Sequence, residues 1–138
     1  MIVNENAREI PAVNNDLFLM SGWQENCKGY SVNIHINKPH PIFEGHFPGN
    51  PIIPGVCLLV LFRKILNCSE AFKSCRLNCD TMKFVNVLNP ILYDSFEVEI
   101  VSNSETNKVK IEAKSDSTLF AVLLGSINKH SYEMSINL

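Results

Sequence analysis

The chain has 138 residues, 46% of them hydrophobic, and a formal charge of −2 at neutral pH. A chain of this size and apolar content suits one globular domain, taken as residues 1–138, with enough interior to form a real core. Lys and Arg are interspersed rather than clustered, which argues against nucleic acid as a partner.

The longest apolar run, Val56 to Phe62, stops at Arg63 and Lys64, well short of the roughly 20 residues that span a bilayer. The opening MIVNENAREI lacks the basic start and apolar centre of a secretion signal, so a cytoplasmic location is expected. Five cysteines (Cys27, Cys57, Cys68, Cys75 and Cys79) are an odd number in apolar or strand-like surroundings, and they read as reduced thiols rather than as a disulfide framework. Cys75 and Cys79 have no matching second pair, so no metal is expected.

Taken in chain order, Tyr30, Val32, Ile34 and Ile36 alternate with polar neighbours, the period of a half-buried strand. A glycine- and proline-rich loop follows. Val56 to Leu66 is apolar on every side until Arg63, which predicts a helix buried all round, with Pro54 at its first turn. Arg76 to Asn86 reads as a strand, Asn89-Pro90 as a turn, and Asp94 to Ser102 as a strand with Phe96, Val98 and Ile100 on one face. The polar SNSETN forms a hairpin loop, and Val109, Ile111 and Ala113 then alternate with charged residues. Ser115-Asp116-Ser117 turns the chain into Leu119 to Ile127, apolar on both faces and therefore central. The tail, His130 to Leu138, has weak periodicity. One helix followed by consecutive strands points to an α+β fold with an antiparallel sheet wrapped on that helix.

The stretch FEGHFPGNPIIPGV, residues 43 to 56, holds three prolines and three glycines around a single histidine. The prolines pin the backbone and Gly45 allows close approach to something else. Apolar surroundings would keep the His46 imidazole neutral and ready to accept a proton.

Gly45-His46-Phe47-Pro48-Gly49-Asn50-Pro51-Ile52-Ile53-Pro54-Gly55 resembles the GHFPxxPxxPG signature of the β-hydroxyacyl-acyl carrier protein dehydratases, enzymes of the hot-dog fold. Met82-Lys83-Phe84, Asn89-Pro90 and Asp94 resemble the same family more weakly. The resemblance implies a long central helix cradled by a curved antiparallel sheet, a homodimer, no cofactor, and acyl thioesters on acyl carrier protein or CoA as substrates. It further implies that His46 removes the proton α to the thioester carbonyl while the Gly55 N–H, opening the helix, polarises that carbonyl. Helix N-termini carry unsatisfied N–H groups and partial positive charge suited to an enolate oxygen. Phe43, Phe47, Ile53, Val56, Leu59 and Val60 are the expected substrate-contacting residues, with Met82 and Phe84 as further wall candidates.

One position departs from the family pattern. Fourteen residues after the histidine, where the family has an acid that handles the departing β-hydroxyl, this chain has Val60. Valine moves no proton, and loss of such a group costs on the order of 10² to 10⁴ in rate. Cys57 is a weak substitute in apolar surroundings. Three readings follow: another acid enters the site, with Glu44 and Asp80 as candidates; a related, acid-bearing partner completes a site shared between subunits; or the protein binds acyl thioesters without converting them. A hot-dog thioesterase is a further alternative. Arg63, Lys64, Lys73, Arg76 and Lys83 are spread about the helix end and the next strand and define no carrier-docking surface.

Overall fold

The computed structural model describes residues 16–47 and 49–129. The elements run β1 (Phe18–Glu25), β2 (Gly29–Ile36), α1 (Ile42–Gly45), α2 (Gly55–Cys68), β3 (Cys75–Phe84), β4 (Ser95–Ser102), β5 (Lys108–Ser115) and β6 (Thr118–Lys129). The strands form one six-stranded sheet in the order β1-β2-β4-β5-β6-β3, and every neighbouring pair is antiparallel.

Period-two patterning builds this sheet. Along β4 the side chains of Phe96, Val98 and Ile100 are buried while their neighbours are partly open. Val109, Ile111 and Ala113 do the same on β5. These inward residues join Val32, Ile34 and Leu123 in one core, and each fully buried aliphatic or aromatic side chain contributes about 1.5–3 kcal/mol. The turn that closes β5 onto β6 carries Asp116 at φ 49, a left-handed conformation that aspartate tolerates better than most residues.

α2 lies on that core through Leu58, Leu61, Phe62, Ile65 and Leu66, all buried. It spans fourteen residues, about 21 Å. The helix is not buried all round. Val56 is 64% and Val60 48% exposed, and Arg63, Lys64 and Asn67 are exposed as well. A single helix on a single sheet has one face covered, and the 3.6-residue period puts Val56, Val60, Arg63 and Lys64 on the stripe opposite Leu58, Leu61 and Ile65. Unbroken hydrophobicity therefore marks a second apolar surface here, not an enclosed helix.

Two elements stand beyond the sequence expectations. β1 begins with Phe18 and Met20 pointing into the core, but a bulge between Ser21 and Gln24 breaks its alternation. Gly22 sits in that bulge at φ +66, where an added Cβ would stand 2.9 Å from Asn33 Nδ2. α1 is a single turn, too short to carry periodicity. β3 runs Cys75–Phe84 rather than to Asn86, while β6 lies inside the sheet between β5 and β3, as its two apolar faces predict. The five cysteines have free thiols. No described helix is long and apolar enough to cross a membrane. The expectations for MIVNENAREI and for the His130–Leu138 tail fall outside the described residues.

Candidate active site

The loop between β2 and α2 is held by its own backbone. His46 donates its N–H to the Ile42 carbonyl at 3.1 Å, and its carbonyl accepts from Ile52 N–H at 2.9 Å. Phe47 and Asn50 exchange N–H to carbonyl bonds at 3.4 and 2.8 Å, with Gly49 between them at φ +79. The His46–Phe47 peptide bond is cis. Ile53 N–H reaches across to the Leu88 carbonyl at 2.9 Å, tying the loop to the segment after β3. The backbone of His46 is therefore fixed from both sides.

Its side chain is not walled in. His46 is exposed in the single chain, with the Phe47 ring 5.6 Å away, centroid to centroid, as its aromatic neighbour. Phe47 is itself 51% exposed. The expected apolar enclosure of His46 is thus not supplied by the described residues of its own chain, because Phe43 turns toward the core and Phe47 toward solvent.

Pro54 is the residue before α2 rather than in its first turn, with φ −60 and ψ 141. No side chain caps the helix and no acidic residue stands in its first turn. Cys57 N–H turns back to the Pro54 carbonyl at 3.0 Å, whereas the N–H groups of Gly55 and Val56 have no acceptor inside the helix. A start with no side-chain cap and no acidic residue in its own first turn leaves the positive end of the helix dipole uncompensated from within the helix.

Two apolar clefts flank this helix start. The larger, about 440 Å³, lies between Ile52, Ile53, Gly55, Val56 and Leu58 on one side and the Phe84–Leu88 segment on the other, with Phe120 behind. The smaller, about 170 Å³, is bordered by Val56, Cys57, Val60, Leu61 and Lys64 of α2 and by Asp16, Leu17 and Phe18. Val56 is the shared wall. Burial pushes the Cys57 thiol up from its ordinary value, which keeps it protonated and a poor nucleophile.

The structure thus gathers Ile53, Gly55, Val56 and Phe84 at one cleft, and Val56 and Val60 at the other. His46, Phe43, Phe47 and Leu59 border neither cleft; Leu59 and Met82 are partly buried against the core. Glu44 is exposed on α1. Asp80 stands at the β3 bulge, beside a groove on the sheet shared with Ser102 to Glu105, Lys108 and Lys110, so it is removed from both clefts. Asp16, which sequence reasoning passed over, is the carboxylate bordering the Val60 cleft. No motif surrounds it; only the return of β1 past α2 brings it there.

A family model described as ApeI-like, ApeI dehydratase, matches residues 23–122, which is most of the chain. The chain belongs to the ApeI-like dehydratase family. Its resemblance to the acyl carrier protein dehydratases extends to relatives of that name. It is 32% identical over 77 residues to the 3-hydroxyacyl-acyl-carrier-protein dehydratase FabZ of Caldicellulosiruptor saccharolyticus, covering 51% of this chain and 54% of that one. With the FabZ of Caulobacter vibrioides it shares 34% over 91 residues, 59% of this chain and 56% of the other. The matched region thus spans about half the length of these curated relatives. Among solved structures, the dehydratase heterocomplex ApeI:P from Xenorhabdus doucetiae superposes with a TM-score of 0.64 at 15% identity, covering 78% of this chain and 94% of that one. An uncharacterized protein from Erwinia carotovora subsp. atroseptica gives 0.56 at 14% identity, covering 78% and 90%. The six-stranded antiparallel sheet with its helix is the part of the fold that superposes on these two structures, consistent with the hot-dog arrangement.

Proposed function

We propose that the chain is a dehydratase of (3R)-hydroxyacyl thioesters, carried on acyl carrier protein or CoA, in fatty acid or related lipid biosynthesis. His46 takes the proton from the carbon α to the thioester, and the Gly55 N–H receives the charge that builds on the carbonyl oxygen. The observation that carries this reading is the loop that leads from His46 into an uncapped helix start at Gly55. One such N–H donor is worth about 2.7–4 kcal/mol of transition-state stabilisation. Phe84, Ile53 and Val56 form the apolar wall along which the acyl group lies, in a cleft whose bordering residues include no charged side chain.

The site is completed by a second chain. His46 borders neither cleft of its own chain, while Phe84, Val85, Val87, Ile91 and Leu92 are each at least half exposed along one short segment. Among the described strands, β3 is an edge strand with an unpaired outer side. A second copy joined along this region would bury that apolar run and bring an imidazole toward the partner's clefts.

A second reading, that an acid-bearing homologue is the natural partner, is favoured by Val60 lying in a cleft where the family has its carboxylate. A hot-dog thioesterase fits less well, since it too needs an acid or a positioned water on the helix.

The experiment is water addition and loss, followed on trans-2-enoyl and 3-hydroxyacyl carrier-protein thioesters, with the chain alone and mixed with acid-bearing homologues. Turnover by the chain alone supports the leading reading. Turnover in mixtures only supports the second, and hydrolysis of the thioester in place of hydration would establish the third.

A further inference from the structure

The leading reading leaves one proton without a carrier. Dehydration breaks the C3–oxygen bond, and hydroxide is too poor a leaving group to depart without a proton. The family position for that donor is Val60. Glu44 lies exposed on α1 and Asp80 on the β3 bulge, and neither acid anticipated from the sequence borders the two clefts of α2.

Among the described residues, one acidic residue does border the cleft into which Val60 opens. Asp16 is placed there by β1, whose Phe18 is buried in the core; Asp16 and Leu17, just ahead of the strand, border the cleft beside α2. The backbone there is fixed: the Asp16 carbonyl accepts from Asn37 Nδ2 at 2.8 Å, and the Leu17 carbonyl accepts from Asn37 N–H at 2.8 Å. Asn37 directly follows β2, so two strands hold the residue in register beside Val56, Cys57 and Val60. Leu17, Phe18 and Leu61 complete the apolar walls, and Lys64 is the other charged residue bordering the cleft among the described residues.

We propose that Asp16 is the catalytic acid of this chain, doing from the edge of β1 what the helix carboxylate does elsewhere in the family. The proposal rests on the dehydratase reading above. In dehydration, His46 takes the C2 proton, the C2–C3 double bond forms, and the C3–oxygen bond breaks as the Asp16 carboxyl gives its proton to the departing oxygen. One water leaves, and the proton on His46 returns to the Asp16 carboxylate through solvent, so no oxidant or second reactant is needed. In hydration each step reverses, with the Asp16 carboxylate accepting the proton of the attacking water. The missing helix acid is thereby a relocation of the group to a neighbouring element.

The test compares wild type, Asp16→Asn, Asp16→Glu, Val60→Glu and the double variant Asp16→Asn with Val60→Glu, as the full chain. Turnover is measured on a trans-2-enoyl thioester, and binding of an unreactive acyl-pantetheine amide by calorimetry. Asp16→Asn should lower kcat on the order of 10² to 10⁴ while the amide binds as before. Asp16→Glu should retain part of the rate, and Val60→Glu should restore it to the Asp16→Asn chain. A merely structural role predicts no such rescue from a different element. Unchanged kcat in Asp16→Asn would overturn the proposal, as would a wild type that is silent until Val60→Glu is introduced. If neither turnover nor amide binding appears in any variant, the dehydratase reading itself has failed and this proposal with it.

Discussion

The Phe84 ring lies flush against Gly55: a Cβ built on the glycine would stand 2.6 Å from both Cε1 and Cζ of the ring. Phe84 is the last residue of β3, Gly55 the first of α2, and the contact fixes where the helix start meets the sheet. A side chain at position 55 has to push the ring aside, and the ring, 57% exposed, has room to yield. Gly55→Ala should therefore lose the stability that alanine normally brings to a helix, about 1 kcal/mol, to displacement of the ring. In a Phe84→Ala background the same change should be stabilising. Urea unfolding of the two single variants and the double variant measures the coupling, expected at about 0.5–2 kcal/mol; additive effects would mean that the contact carries no energy.

His46 is anchored through its main chain and exposed in its side chain. His46→Ala should leave unfolding free energy within about 0.5 kcal/mol of wild type and abolish turnover. Retained turnover would remove the imidazole from its assigned role, and a large loss of stability would show that the ring is structural.

Phe62 faces the centre of the sheet and is 0% exposed. Phe62→Ala should cost about 3–5 kcal/mol, enough to unfold much of a marginal domain. By contrast Val56→Thr on the outer stripe should cost under about 1 kcal/mol, because that side chain is already 64% exposed. Thermal or denaturant midpoints of the two variants test whether α2 has one buried face or two.

The Lys38 ammonium, ion-paired with Asp94, holds the Asp94 carboxyl below its ordinary value, with His35 adding a smaller effect. A depressed native value means that the pair adds stability above the unfolded carboxylate value of about 3.9, and that this contribution disappears as pH falls through the native value. The group is exposed, so the effect is small. Asp94→Asn should run parallel to wild type in denaturant midpoint at neutral pH, and the gap between them should close only in the acid range. A gap that persists to the lowest pH would assign the difference to packing.

Legibility in the sequence followed how many residues share a pattern. β2, β4 and β5 alternate for a full strand, and each stands where that alternation predicts. β1 does not announce itself, because Phe18 and Met20 give only two inward positions before the bulge at Ser21 and Gly22 resets the register. The apolar run of α2 correctly marked a helix but misled about its surroundings: Val56 and Val60 look like core residues when composition alone is considered, yet they line open clefts. His46 and Gly55 were marked by their place in a stiff loop entering a helix. Asp16 carried no such mark. Its relation to Val60 arises from sheet order, which no local window contains.

That sheet order also sets a schedule for synthesis. β3 precedes β4, β5 and β6 in the chain, yet among the described residues its one sheet partner is β6, with Cys75 opposite Lys129 and Phe84 opposite Ala121. Contacts so remote in sequence slow folding, since the intervening chain must close before they are rewarded. On the ribosome, β3 emerges ahead of its partner β6 and waits while β4, β5 and β6 are made. The apolar Phe84 to Leu88 segment waits with it, which makes this stretch the natural place for a chaperone to hold the nascent protein.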